Sequence, residues 1–183
     1  MTPTSLQELY VEQLRDLYDG EQQIIKALPK MIDKATSEDL KSALNEHLEV
    51  TREQATRIEQ IFEKLGDKAK GEKCKGIAGI IDEGEDLIGD IEDDDVRDAG
   101  IIAAAQRVEH YEMAGYGTAR TFAQLLGEES AVELLQQTLE EEKEADETLT
   151  GLASEINVTA AGGTSKAASS GSEGHKEKRQ RVA

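Results

Sequence analysis

Four long stretches of the chain place apolar residues at alternating spacings of three and four, the repeat of a helix with one buried face. The first runs from about Ser5 to Ala35, with Leu6, Leu9, Leu14, Leu17, Ile24 and Leu28 on its inner stripe and Pro29 predicting a kink near its end. The second follows a Thr36-Ser37 cap and runs to about Leu65, with Leu40, Leu44, Ile58, Ile61 and Leu65 inward and Gly66 as its stop. The third, about Asp94 to Leu126, opens on Asp93, Asp94 and Asp95, suited to the positive end of the helix dipole, and stops at Gly127. The fourth covers about Glu129 to Asn157.

The connections set the topology. The first two helices are separated by a few residues and so are the last two, so each pair is an antiparallel hairpin. Between the hairpins lies a long segment, Gly66 to Ile91, with a short helix expected over Gly76 to Ile91. Two hairpins joined by one long crossover is the ferritin-like variant of the all-α four-helix bundle. The bundle domain is expected over residues 1–157. Val158 to Ala183 form a Gly/Ser/Ala-rich stretch with a basic end and no apolar periodicity, expected to be disordered.

Each inner stripe is interrupted near its middle by groups foreign to a dry core. The first reads Leu14, Leu17, Glu21, Ile24, Leu28, and the second Leu44, His47, Thr51, Gln54, Ile58. The third reads Ile102, Ala105, Glu109, Glu112, Tyr116, and the fourth Leu135, Leu139, Glu142, Asp146, Leu149. Reflecting each hairpin through its turn puts Glu21 level with Thr51 and Gln54, His47 about one turn away, and Glu109 and Glu112 level with Asp146 and Glu142.

Unpaired carboxylates buried together cost several kcal/mol each, so they stay protonated, pair with cations, or ligate a metal. Only a metal uses all of them. The candidate ligands are Glu21, His47, Gln54, Glu109, Glu112, Glu142 and Asp146. Carboxylate oxygens with an imidazole suit iron or manganese, one or two ions per chain, and magnesium also fits an oxygen-rich set. The competing reading is that an acidic chain scatters Glu onto every face, and the run Glu140, Glu141, Glu142, Glu144 does not select its own inward member. His110 sits off the strict stripe, beside the ligands or at an interface. Tyr18 and Tyr116 lie one turn from Glu21 and Glu112, within reach as hydrogen-bond partners. His175 lies in the tail and has no role.

Composition narrows the classes further. The chain has 183 residues, 39 Asp+Glu against 21 Lys+Arg and a net charge of −18, with 3% aromatic residues, so a strand-rich fold is excluded. The charge disfavours duplex nucleic acid as a partner of the folded body, although the tail's basic residues leave contacts there open. The longest strictly apolar run, Ile101 to Ala105, is far too short for a bilayer, and MTPTSLQEL carries no secretory pattern, so a cytoplasmic protein is expected. The single Cys74 makes neither an intrachain disulfide nor a zinc site.

The stretches DLYDGEQQIIKALPKM, EHLEVTREQATRIEQIF, AAAQRVEHYEMAGYGTARTFAQLLG and QTLEEEKEADETL, with the KCKG of the crossover, resemble the YciE/YciF stress proteins of the ferritin-like superfamily. The resemblance covers about residues 5 to 157. It implies a five-helix ferritin-like protomer, a homodimer, kinship with rubrerythrin and manganese catalase, and a role in bacterial stress responses. It also implies that Glu109 and Glu112 match the Glu-x-x-Glu pair of the third rubrerythrin helix, Glu21 the first-helix Glu and Glu142 the fourth-helix Glu. The usual Glu-x-x-His motifs of di-iron bundles are absent, which shifts the expected ion towards manganese or magnesium. The expectation is a stress-response protein with a carboxylate-rich mono- or dinuclear metal site, protective against oxidative stress. The alternative is a non-enzymatic helical dimer whose buried polar layer is structural.

Overall fold

Short side chains that accept from the first free amides set where four of the helices begin. Ser5 accepts from the Glu8 amide, Ser37 from Leu40, Cys74 from Ile77 and Asp93 from Val96. The computed structural model describes residues 2–70 and 73–162. It shows α1 (Leu6–Lys34), α2 (Glu38–Leu65), α3 (Lys75–Gly89), α4 (Asp94–Leu126) and α5 (Glu129–Ala160), with no strand among the described residues. Gly66 and Gly127 close α2 and α4 at φ 69° and 76°, the left-handed conformation that glycine adopts without a Cβ clash.

α1 pairs with α2 and α4 with α5 as antiparallel hairpins. The hairpins meet through α1 against α4 and α2 against α5, while α3 lies across α4 and α1. This is the ferritin-like bundle with a fifth helix in its crossover. Among the described residues no helix is long and apolar enough to cross a membrane.

Three details differ from the sequence reading. Leu6 and Leu9 are each 36% exposed, and Tyr10 is buried instead. Stepping back by four from Leu14 reaches Tyr10, not Leu9, and Leu6 lies in the first turn. As expected, α1 includes Pro29 and ends at Lys34. The crossover helix starts at Lys75 and ends at Gly89, short of Ile91. α5 continues beyond Asn157 to Ala160, so the start of the expected tail is helical, and residues 163–183 lie outside the described residues.

The α1–α2 turn is held by a residue the stripe reading passed over. Asp98, 2% exposed on α4, accepts from the Thr36 amide (2.9 Å), the Thr36 hydroxyl (2.7 Å) and the Ser37 amide (2.7 Å). Asp98 lies four residues before Ile102, so spacing alone could have flagged it. Asp98→Ala removes three bonds to one buried carboxylate and is expected to cost about 2 kcal/mol in urea unfolding. A loss below about 0.5 kcal/mol, the scatter of neutral surface changes, would show that water replaces the carboxylate.

Among the described residues the core forms two apolar clusters. The first contains Ile24, Leu28, Leu40, Leu44, Ile101, Ile102, Ala105 and Leu149. The second contains Leu14, Leu17, Ile58, Ile61, Tyr116, Ala119, Leu135 and Leu139. On every long helix the break between them falls where the stripe turns polar: Glu21 on α1, Thr51 and Gln54 on α2, Glu109 and Glu112 on α4, Glu142 on α5.

Candidate metal centre

The helical repeat brings these polar breaks to one level, because helices joined by tight turns must match in depth. Glu21, Glu109, Glu112 and Glu142 are each at most 2% exposed. His47, Glu109, Glu112 and Glu142 each offer a ligand atom, and these atoms all lie within 4.8 Å of one another. His47 Nε2 is 3.4 Å from Glu109 Oε1. Glu21 completes the layer from α1: the Tyr116 hydroxyl donates to its carboxylate, and Glu112 and Glu142 act on its ionisation.

Burial holds Glu21, Glu109 and Glu112 well above the ordinary carboxylate range, and the Glu142 charge pushes all three further in the same direction. For Glu21 the Tyr116 bond, the adjoining Glu112 carboxyl and the Arg57 charge oppose the shift. Burial lowers the His47 pKa, which favours the neutral imidazole with a free lone pair. Tyr116, buried against Glu21, is held protonated.

The Arg57 charge does not neutralise the layer. The Arg57 guanidinium donates to the Glu141 carboxylate at 2.5 and 2.8 Å and to the Thr138 hydroxyl at 3.1 Å. Its charge is committed one residue away from Glu142. The Gln54 amide donates to Glu142 and, at 3.3 Å, to Glu141, tying α2 to α5 across the layer.

Seven side-chain atoms in this layer are buried without a hydrogen-bond partner. They are Glu21 Oε2, His47 Nε2, Gln54 Oε1, Glu109 Oε2, both Glu112 oxygens and Glu142 Oε2. Unpartnered buried acceptors of this kind are rare, and a cluster of them is what a cation would fill. The donor set is hard oxygen with one imidazole, so it fits manganese, iron or magnesium.

The remaining expected site residues lie elsewhere or play other parts. Asp146 is half-buried beside the cluster, where it accepts from the Gln106 amide at 3.0 Å and stands 3.4 Å from His110 Nε2. His110 is exposed. Thr51 is fully buried, but its hydroxyl donates back to the His47 carbonyl at 2.8 Å. Tyr18 does not reach Glu21: its hydroxyl donates to Glu59 at 2.7 Å, and its pKa is pushed up to about 12. His47, expected a turn away, sits within the cluster because its long side chain reaches Glu109. Cys74 is buried as the α3 cap, with Sγ 3.3 Å from the Tyr111 hydroxyl. Sequence reasoning missed Arg57 and Glu141, although Arg57 lies three residues after Gln54 and so had a positional signal.

Known proteins share this architecture. Residues 5–161 match the family model described as a domain of unknown function, DUF892. Protein YciF of Escherichia coli K12 is 43% identical over 154 residues, covering 84% of this chain and 93% of YciF. The crystal structure of the E. coli stress protein YciF superimposes with a TM-score of 0.82 at 42% identity, covering 85% of this chain and 98% of that one. YcfI from Rhodopseudomonas palustris gives 0.79 at 47% identity, over 80% and 94% of the two chains. A Xanthomonas campestris protein, at 19% identity and a TM-score of 0.72 over 86% of this chain and 97% of its own, shares the fold. This chain belongs to the DUF892 family and is one of its YciF-like stress proteins.

Proposed function

We propose that this protein binds one or two divalent cations inside its bundle and acts in stress protection as a cytoplasmic homodimer. The observation that carries the reading is the layer of seven unpartnered buried donor atoms between two apolar clusters. His47, Glu109, Glu112 and Glu142 would hold one ion, and Glu21 beside Glu112 offers a ligand towards a second. Four carboxylates carry four negative charges, the amount that two divalent ions neutralise.

Iron or manganese, when bound, would supply one-electron chemistry towards peroxide or oxygen. The chain's own contributions are structural and electrostatic. The Tyr116 hydroxyl holds the Glu21 carboxylate, and the Gln54 amide holds Glu142. Neutral His47 presents a lone pair. The two apolar clusters shield the layer from water at both ends.

A second reading has its own support. Tyr116–Glu21 and Gln54–Glu142 are hydrogen bonds of a metal-free polar network, and raised carboxyl pKa values let several members stay neutral. The layer would then be a device that fixes helix register in a non-enzymatic dimer.

Replacing Glu21, Glu109 and Glu142 singly by Ala and measuring manganese and iron content separates the two. The metal reading predicts that each substitution lowers bound metal by at least about tenfold, since a buried ligand is lost. Unchanged metal content in all three would remove the site assignment.

A further inference from the structure

We propose that the cavity between α2 and α5 is the port through which divalent cations enter the buried layer. This inference rests on the metal-binding reading. The cavity has a volume of about 260 Å³ and is lined from α2 by Glu46, His47 and Val50 and from α5 by Glu144 and Thr148, with Glu109 of α4 at its inner end. It therefore reaches from the exterior to the side chains of two of the four clustered residues, His47 and Glu109, whose Nε2 and Oε2 atoms lie buried behind its floor. Glu109 is 98% buried, and its Oε2 has no hydrogen-bond partner.

The port lies on one of the two looser seams between the long helices. α4 and α5 approach each other closely at many positions, whereas α2 and α5, like α1 and α4, do so at far fewer. Val50 and Thr148 leave space at the mouth that longer side chains would close. Glu46 and Glu144 are exposed, while Glu141, also lining the cavity, is neutralised by Arg57. The mouth thus carries net negative charge. Carboxylates lining a low-dielectric cleft concentrate cations and repel anions, an effect that weakens with salt. A cation would pass Glu46 and Glu144, then meet His47 and Glu109 at the floor.

A second cavity of about 310 Å³ lies between α1, α3 and α4, with Lys30, Met31, Ile80, Ile81, Asp86 and Val108 in its lining. Its lining includes none of the layer's residues. It serves as the control.

The test uses cobalt(II), whose visible absorbance reports uptake by the full-length metal-free protein in stopped flow. Thr148→Trp fills the port without touching a donor. A plug slows entry and exit alike, so the uptake rate should fall by on the order of tenfold while stoichiometry and Kd stay within about twofold of wild type. Asp86→Trp in the control cavity should leave the rate unchanged. Glu46→Gln combined with Glu144→Gln should slow uptake by about threefold or more at low ionic strength, with the difference vanishing at high salt. Helicity and melting temperature of each variant establish that it is folded; should Thr148→Trp not fold, the charge variant alone decides.

Normal uptake in both port variants, or slowing by Asp86→Trp instead, would overturn the port. Absence of stoichiometric cobalt in the wild-type protein would instead overturn the metal-binding reading, and the port with it.

Discussion

Manganese(II), or iron(II) without oxygen, added to the metal-free protein at a hundredfold excess over its Kd is expected to stabilise the folded state by about 2.7 kcal/mol. For a chain of this size that is a rise in melting temperature of roughly 5–10 °C. The gain arises because the unfolded chain does not hold Glu109, Glu112, Glu142 and His47 together, so binding free energy becomes folding free energy. Glu112→Gln and Glu142→Gln should abolish most of the rise, because each removes a buried anionic donor. Equal stabilisation of the wild-type protein and both variants would mean that the ions act on the exposed acidic surface.

The metal-free protein is expected to respond in the opposite sense to the same substitution. Both Glu112 oxygens are buried without partners, and burial raises its pKa well above 4.5. A group whose folded pKa is raised binds more protons in the folded than in the unfolded state between the two values. Stability from that group is greatest below the unfolded pKa and falls as pH rises through the interval. Each extra proton held in the folded state corresponds to a slope of about 1.4 kcal/mol per pH unit. Glu21 and Glu109 shift in the same direction, so the metal-free chain should lose stability steeply from pH 5.5 to pH 8.

Glu112→Gln keeps the shape and removes one titrating charge. It should stabilise the metal-free chain at pH 8 by about 1–3 kcal/mol and flatten the slope, while it destroys the metal response. With metal present the wild-type dependence should reverse, because ligation requires deprotonated carboxylates and strengthens as pH rises. Urea unfolding at the two pH values, with and without manganese, reads all of these terms. Destabilisation of the metal-free chain by Glu112→Gln at pH 8 would show that the carboxylate is needed by the apo fold itself.

Much of the architecture was legible because a helix repeat is a local property. Glu21, Gln54, Glu109, Glu112 and Glu142 all lie on inner faces, as the intervals of three and four between their apolar neighbours require. Gly66 and Gly127 marked the helix ends through a backbone conformation that other residues resist.

What stayed hidden depends on neighbours from other helices and on side-chain reach. Asp146 shares the stripe, yet it turns to Gln106 and His110 at the edge of the layer. Tyr18 had a nearer partner in Glu59, which sequence spacing across two helices does not reveal. In the Glu140–Glu144 run, one residue of register sends Glu142 to the core and Glu141 to Arg57. That difference of about 100° around the helix needs the packed structure to decide.

Metal held in the buried layer is read by elemental analysis of the full-length protein, purified without chelator or nickel affinity resin. About one or two equivalents of manganese or iron per chain, retained through gel filtration, are expected. Less than roughly a tenth of an equivalent, persisting after incubation with excess manganese(II) and iron(II), would contradict metal binding and leave the carboxylate layer as a structural device.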